Sequence, residues 1–259
     1  MLELSRDIFH VSAQHQPLMR MLGLDAAAIF NDPRIVAWRK LPDRENCTLD
    51  ADVDGEKIRL HIKRYFPTQG SSTLAEDEVK GLQLLQDAAI PTVSLIGHGT
   101  RADRGSFVIL QDLVGYSAAD KLIERSTPFE LLLNPTADLA AKLHSAGLHH
   151  RDLYLCHFFA KVVGDAVDLK LIDTARVARI GIFMKRRWIV KDLAQFWYST
   201  LGLPISNEQR ERWLNRYASL RGISAESLRK SIERKVRWIE RHDRKLNLAQ
   251  PARNVSLPV

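Results

Sequence analysis

The sequence lacks several features by which large protein classes are recognised. No apolar run approaches the roughly 18 residues of a transmembrane helix. The two cysteines, Cys47 and Cys156, lie far apart without metal-ligand spacing, so we expect free thiols in a reducing compartment. The N-terminus contains Glu3, Arg6 and Asp7 and does not show the basic-then-apolar pattern of a signal peptide. These absences favour a cytoplasmic protein whose membrane contact, if any, is peripheral.

Basic residues, by contrast, are in excess. The 259 residues carry a formal net charge of +7, and the pI is about 9.5. Their 45% apolar and 27% charged content is ordinary for a soluble globular protein, and the length fits one domain of two lobes or two small domains. The basic excess suggests an anionic partner such as a nucleotide, a phosphorylated glycolipid, a membrane surface or nucleic acid. Nothing resembles a nucleic-acid-binding module, so we expect no nucleic-acid partner. Nothing resembles a zinc site or a Ser-His-Asp triad either. The sequence gives no indication of oligomeric state.

The functional signal is strongest in residues 148–158, which read Leu-His-His-Arg-Asp-Leu-Tyr-Leu-Cys-His-Phe. Two apolar runs follow, at 158–163 and 167–172, joined by Gly-Asp-Ala. They predict a β-hairpin between two loops, with Asp152 in the first loop and Asp173 in the second. This arrangement resembles the catalytic core of protein-kinase-like phosphotransferases, where His-Arg-Asp supplies a base and the later Asp binds Mg²⁺.

A longer pattern is more specific. His-Arg-Asp-x-Tyr-x-x-His-Phe, then Ile-Asp, then Arg-Trp-x-x-Lys-Asp-Leu at 187–193 resembles the bacterial lipopolysaccharide kinase (WaaP/Kdo kinase) family over about residues 63–203. The resemblance implies an α+β, protein-kinase-like bilobal fold with a small β-rich N-lobe and a larger helical C-lobe containing the catalytic hairpin. The expected divisions are a helical N-terminal extension (1–33), the N-lobe (34–112), the C-lobe (113–248) and a flexible tail (249–259).

In the N-lobe we expect about five strands and one helix. The alternating segment 57–65 predicts a strand, and the resemblance implies that its Lys63 contacts the α/β-phosphates of ATP. By itself this lysine would be interpreted as a solvated side chain. A helix is predicted from about residue 74 to 88, and the resemblance implies that its Glu78 pairs with this lysine as a helix glutamate does in kinases, with Glu76 as the rival. A glycine-rich phosphate loop is missing, which leaves Arg44 as a weak candidate phosphate contact.

In the C-lobe the resemblance implies that Asp152 is the catalytic base and Asp173 a Mg²⁺ ligand. His157 stands where protein kinases have a metal-binding Asn; a ligand role and a structural role in the loop are both open, because imidazole suits Mg²⁺ less well than oxygen. Tyr154 replaces the lysine of Ser/Thr kinases, which argues for a small-molecule or sugar acceptor. Arg176 is expected either near phosphate or substrate, or simply at the surface.

Other residues of the C-lobe have structural interpretations. His150 is expected to pack the catalytic loop. Asp192 matches a kinase aspartate that binds the backbone of this loop from behind, so it should be buried. Asn134-Pro135 predicts the start of a helix, with Gly147 as its C-cap.

Two further helices are predicted at 206–220 and 225–246. The second is rich in basic residues: Arg229, Lys230, Arg234, Lys235, Arg237, Arg241, Arg244 and Lys245. This face is either simply solvated or meets an acidic membrane or glycolipid phosphates.

The resemblance implies an ATP- and Mg²⁺-dependent kinase of heptose or Kdo in the lipopolysaccharide inner core. Its substrate would be an anionic glycolipid at the inner face of the cytoplasmic membrane, and the Tyr-x-x-His-Phe tail favours the heptose branch. Two alternatives remain open: a kinase acting on a protein or another envelope glycan, and a kinase-like binding module. The missing glycine-rich loop and metal-binding Asn motivate the binding module.

Overall fold

A computed structural model describes residues 7–66, 75–102 and 105–249. The described chain forms two compact units. The sheet unit contains the described residues up to Leu82 together with Val93–Val114, and the helical unit contains Gln83–Thr92 and the described residues from Gly115 onward. The predicted flexible tail lies outside the described residues, apart from Ala249.

Six antiparallel strands form the sheet of the first unit, in the spatial order β1-β5-β6-β4-β3-β2. They are β1 (Ile8–Val11), β2 (Ile35–Leu41), β3 (Arg44–Val53), β4 (Glu56–Tyr65), β5 (Leu95–Thr100) and β6 (Ser106–Gln111).

Strands β2 to β6 match the count of about five expected in the N-lobe, and the sixth strand, β1, lies within the segment predicted as a helical extension. This strand pairs with β5, from Ile8 opposite Thr100 to Val11 opposite Gly97. The pairing joins segments far apart in sequence, and residues 8–11, Ile-Phe-His-Val, do not alternate between apolar and polar, so local pattern does not reveal this strand. The rest of the segment is partly helical, with α1 (Gln16–Leu22) and α2 (Ala28–Asn31).

The hairpin of β3 and β4 follows from its turn and its alternation. Asp54 and Gly55 both have positive φ, 53° and 82°, as a two-residue turn between right-twisted strands requires. Leu60 and Ile62 are buried with the residues of α1 and α2. Since side chains alternate along a strand, Lys63 and Tyr65 point to the opposite face. That second face packs against α3 (Ala75–Asp87), whose predicted beginning at residue 74 lies outside the described residues.

The helical unit contains five helices, α4 (Ala119–Glu124), α5 (Phe129–Ser145), α6 (Lys185–Ser199), α7 (Asn207–Leu220) and α8 (Ala225–Ala249). Its short strands are β7 (Ser117–Ala118), β8 (Leu148–His149), β9 (Phe158–Val163), β10 (Ala166–Leu171) and β11 (Ala178–Arg179). The predicted hairpin is confirmed as β9 and β10, with Phe158 opposite Leu171. Strand β7 extends this pair, and β11 pairs with β8.

The predicted start of a helix at Asn134-Pro135 is wrong. Helix α5 begins at Phe129 and contains Pro135, although an internal proline removes a helical hydrogen bond and costs roughly 3 kcal/mol. The buried residues Phe129, Leu132 and Leu133 precede Pro135, so the apolar surface they bury outweighs that cost. The helix finishes at Ser145 with Ala146 as its C-cap, one residue before the predicted Gly147, which follows with a left-handed φ of 72°.

The two helices predicted at 206–220 and 225–246 are confirmed as α7 and α8. Ser206 caps α7 through a reciprocal capping box with Gln209, which gives partners to backbone N–H groups at the start of the helix. Helix α8 buries the stripe Leu228, Ile232 and Val236, each contributing about 1.5–3 kcal/mol of hydrophobic stabilisation. Among the described residues, no helix is long and apolar enough to cross a membrane.

Candidate functional site

In the sheet unit, the structure brings together the predicted pair Lys63 and Glu78. The Lys63 Nζ lies 2.8 Å from Glu78 Oε2, and the Tyr65 hydroxyl donates to the same oxygen at 3.2 Å. Glu78 is completely buried, and a carboxylate taken out of water needs hydrogen-bond donors such as these. Glu76, the other candidate partner of Lys63, is exposed, and its Oε2 lies 4.0 Å from Lys80 Nζ. The ammonium group of Lys63 is therefore held in one position by a buried partner.

The weak candidate Arg44 is the first residue of β3. It lies opposite Tyr65 at the end of the β3–β4 ladder and is half-buried. The phosphate contact considered for Arg44 therefore stays a prediction.

In the helical unit, Asp192 binds the loop that carries Asp152, residues 150–157, as predicted. We call this segment the catalytic loop. Its carboxylate accepts the backbone N–H groups of His150 at 2.7 Å and Arg151 at 2.9 Å. The side chain is fully buried, and His144 donates to it through Nε2 at 3.2 Å. Burial raises the pKa of Asp192, but the hydrogen bonds from His144 and His150 outweigh it and lower the pKa below its ordinary value. Sequence reasoning missed His144, whose Nδ1 lies 2.8 Å from the Tyr217 hydroxyl.

Helix α6 binds the loop at two further points. Gln195 Oε1 accepts the backbone N–H of Leu153 at 3.2 Å, and Ser199 Oγ accepts that of Leu155 at 2.9 Å. With Asp192 these residues follow the i, i+3, i+7 spacing of one helix face. The sequence identified only Asp192, although this polar spacing on an otherwise apolar face was a usable signal.

His150 connects the two carboxylate-bearing loops. Its imidazole is fully buried, and Nε2 donates to the Ile172 carbonyl at 3.0 Å. Burial lowers the pKa of His150, so a neutral ring packs the loop as predicted.

The candidate base Asp152 forms an ion pair with Arg176. The Arg176 Nη1 lies 2.9 Å and 3.2 Å from the two carboxylate oxygens, and Gln195 Nε2 donates to one of them at 3.3 Å. Only 21% of the Asp152 side chain is exposed. Arg176 thus lies beside Asp152, but its own side chain is 47% exposed, so a position near phosphate or substrate and a surface position both stay open for it.

His157 and Asp173, the two candidate metal ligands, face each other. The His157 Nδ1 donates to the Asp152 carbonyl at 2.6 Å, which directs Nε2 towards Asp173 Oδ2, 3.6 Å away. Burial lowers the pKa of His157, but its contacts with Cys156, with Asp173 and with the Asp152 backbone outweigh burial and raise the pKa to about 10. A protonated ring pairs with Asp173, whereas a neutral ring presents a lone pair to a cation, so both roles of His157 fit this geometry.

The described residues contain no group of three or more His, Cys, Asp or Glu side chains that could hold a metal by themselves. Mg²⁺ in kinases is bound by one or two protein ligands and completes its shell with water and substrate phosphates. One carboxylate and one imidazole side by side fit this kind of shared site.

The family comparison matches the region that contains these residues. A model described as the lipopolysaccharide kinase (Kdo/WaaP) family matches residues 53–217. The chain is 27% identical over 232 residues to the lipopolysaccharide core heptose(I) kinase WaaP of Pseudomonas aeruginosa, covering 81% of this chain and 85% of that protein. It is 28% identical over 179 residues to the protein of the same description from Escherichia coli K12, covering 61% of this chain and 64% of that protein.

A solved structure has a similar fold. A thermostable mutant of aminoglycoside phosphotransferase APH(4)-Ia superposes with a TM-score of 0.54, covering 83% of this chain and 86% of that chain. At 11% sequence identity this likeness concerns the fold alone, and it confirms the protein-kinase-like architecture predicted from the motifs.

Proposed function

Because the chain belongs to the lipopolysaccharide kinase (Kdo/WaaP) family, we propose that it transfers the γ-phosphate of ATP to a heptose of the lipopolysaccharide inner core. The family resemblance predicted from residues 150–158 and 187–193 is thus confirmed. A phosphotransferase acting on lipopolysaccharide agrees with both the family and the kinase-like fold. The choice of heptose rests on the relatives described as core heptose(I) kinases and on the Tyr-x-x-His-Phe tail.

The observation that carries this proposal is the anchored loop of the helical unit. Asp152 lies on a loop whose backbone is held by the buried Asp192, and Asp173 lies on the loop joined to it through His150. We assign Asp152 to orient the acceptor hydroxyl and accept its proton, a role that contributes roughly 10²–10⁴-fold to such reactions. Arg176 and Gln195 hold the carboxylate in place for that step.

Lys63 and Glu78 would serve the nucleotide. The Lys63 ammonium would neutralise charge on the α/β-phosphates, and the buried Glu78 would fix its direction. Asp173, with His157 beside it, would bind Mg²⁺, which when bound screens the negative charge that develops on the phosphates.

The exposed face of α8 supports a peripheral membrane position on the cytoplasmic side. Basic side chains recur along it at three- and four-residue spacing: Lys230, Arg234, Arg237, Arg241 and Arg244. Trp238 beside this stripe is 48% exposed, and Lys235 Nζ lies 3.4 Å from its ring centroid. Basic residues around an exposed tryptophan are typical of helices that lie on acidic membranes.

The test is transfer of labelled phosphate from ATP to dephosphorylated inner-core lipopolysaccharide. We expect Mg²⁺-dependent labelling of a heptose. No transfer with Mg-ATP still bound would favour a kinase of another acceptor, a protein or a different envelope glycan. A protein that neither transfers phosphate nor binds nucleotide would be a binding module.

We expect Lys63→Met to reduce kcat/KM for ATP by roughly 10²–10³-fold, the usual loss when one fixed donor to developing charge is removed. Lys57→Met is the matched control, since Lys57 is an exposed lysine of the same strand. Steady-state kinetics with varied ATP measures the effect, and circular dichroism checks folding. A folded Lys63→Met protein with the activity of the control would contradict the nucleotide role.

A further inference from the structure

Three cations of the helical unit surround one aromatic ring. The guanidinium carbons of Arg151 and Arg187 lie 4.9 Å and 5.5 Å from the ring centroid of Trp188, and Lys191 Nζ lies 5.8 Å away. His149 stacks on the same indole, with centroids 4.5 Å apart and rings 4° from parallel. Cation–π attraction thus gathers Arg151, Arg187 and Lys191 into what we call the Trp188 cluster.

Carboxylates offset the positive charge of the Trp188 cluster only in part, since Asp152 and Asp192 act on Lys191 through their charges without pairing with it. Within the part of the chain that the structure describes, none of its three cations forms a salt bridge. The Lys191 ammonium donates instead to the carbonyl of Arg151, and the Arg151 Nε is buried without a hydrogen-bond partner. Burial is also the main cause that lowers the pKa of Lys191, to about 8. Like charges held this close repel one another, so an anion placed among them would be bound favourably.

The Trp188 cluster lies directly beside the candidate base. Arg151 precedes Asp152 in the chain, and the carbonyl that Lys191 contacts belongs to the peptide bond between them. Arg187 is exposed, so an anion can reach the cluster from solvent. An acidic group bound here would lie next to the hydroxyl that Asp152 serves.

We propose that the Trp188 cluster binds an acidic group of the acceptor, a phosphate or a carboxylate on a sugar next to the one that is phosphorylated. This inference rests on the proposed function. Arginine pairs with both anions through two parallel hydrogen bonds, which fix direction as well as distance. The cluster would therefore select acidic glycans and set which hydroxyl reaches Asp152.

The variant Arg187→Gln tests the site, with Arg186→Gln as its matched control. Both remove one positive charge from the first turn of α6, but the Arg186 guanidinium is directed to the Ser227 carbonyl, 2.8 Å away. We expect Arg187→Gln to raise the KM for the inner-core acceptor roughly tenfold, as the loss of a charge-assisted hydrogen bond does, with kcat and the KM for ATP unchanged. Arg186→Gln should retain the wild-type values.

Two chemically altered acceptors identify the acidic group that the Trp188 cluster binds. The same inner-core acceptor is assayed after its carboxylates are converted to amides, and separately after its remaining phosphates are removed with hydrofluoric acid. The difference between the two variants should vanish on one of these acceptors, which assigns the bound group as carboxylate or phosphate. A difference that persists on both, or that appears in the KM for ATP, would overturn the inference.

The outcomes also separate this inference from the proposed function. If the wild type phosphorylates the acceptor but the two variants have equal KM values, only the Trp188 cluster assignment fails. If the wild type transfers no phosphate to the inner core, the proposed function fails and takes the assignment with it.

Discussion

Asp152→Asn should reduce kcat for phosphoryl transfer by roughly 10²–10⁴-fold while Mg-ATP binding is retained. The amide is nearly isosteric and can still accept a hydrogen bond from Gln195, so the loop should keep its shape. It cannot accept the proton of the acceptor hydroxyl, and it loses the ion pair with Arg176. Single-turnover transfer of labelled phosphate, with nucleotide binding measured in parallel, checks both parts of the expectation.

The control is Asp165→Asn, the same substitution in the exposed turn of the β9–β10 hairpin, which should leave kcat unchanged. Asp173→Asn gives a useful contrast, because loss of a metal ligand should weaken the Mg²⁺ dependence of nucleotide binding as well as the rate. An Asp152→Asn protein that turns over within a few-fold of wild type would remove Asp152 from the chemistry. Loss of nucleotide binding in that variant would show that its role is not that of a base.

The second large effect concerns stability. Asp192→Ala removes a buried carboxylate that accepts hydrogen bonds from the backbone of His150 and Arg151 and from His144. Leaving such partners buried and unpaired costs about 3–5 kcal/mol of the free energy of unfolding. Urea unfolding at neutral pH measures this loss, and Asp138→Ala, which removes an exposed partner of Arg216, should have a much smaller effect.

The stability difference should also depend on pH in a fixed direction. The pKa of Asp192 in the folded protein lies below its ordinary value of 3.8, so the unfolded chain binds more protons than the folded one in acid. The stabilisation by Asp192 is complete above that ordinary value and is lost as pH falls through the lower, folded pKa. Wild type and Asp192→Ala should therefore converge in stability at acid pH. A gap that stays constant down to the acid limit would contradict an ionised Asp192.

The sequence predicted the parts of the site that depend on local pattern. The hairpin between Asp152 and Asp173 was visible because two apolar runs flank a turn, and the structure places it as expected. The closeness of Lys63 and Glu78 could be predicted from strand alternation and helix position together with the family resemblance. The functional roles of these residues remain predictions.

Other contacts depend on tertiary packing, which local pattern does not encode. Strand β1 pairs with β5, although β2, β3 and β4 lie between them in the sequence. In α5, the packing of its apolar residues overrides the helix-start signal of Pro135. Nothing near His144 in the sequence indicates Tyr217, because α7 brings it from far along the chain. The Trp188 cluster likewise needs the catalytic loop to meet α6 before Arg151 can join it.

The attachment of the catalytic loop to α6 determines how freely the loop can move. Four of its backbone amides, at His150, Arg151, Leu153 and Leu155, donate to side chains of that one helix. Because the helix is packed into the main core, the loop cannot open as a separate segment without breaking those bonds together. We therefore expect these four amide protons to exchange slowly with solvent, and only through unfolding of the whole unit. For the same reason we expect Asp152 to stay in place during turnover, so that the substrates move to meet it.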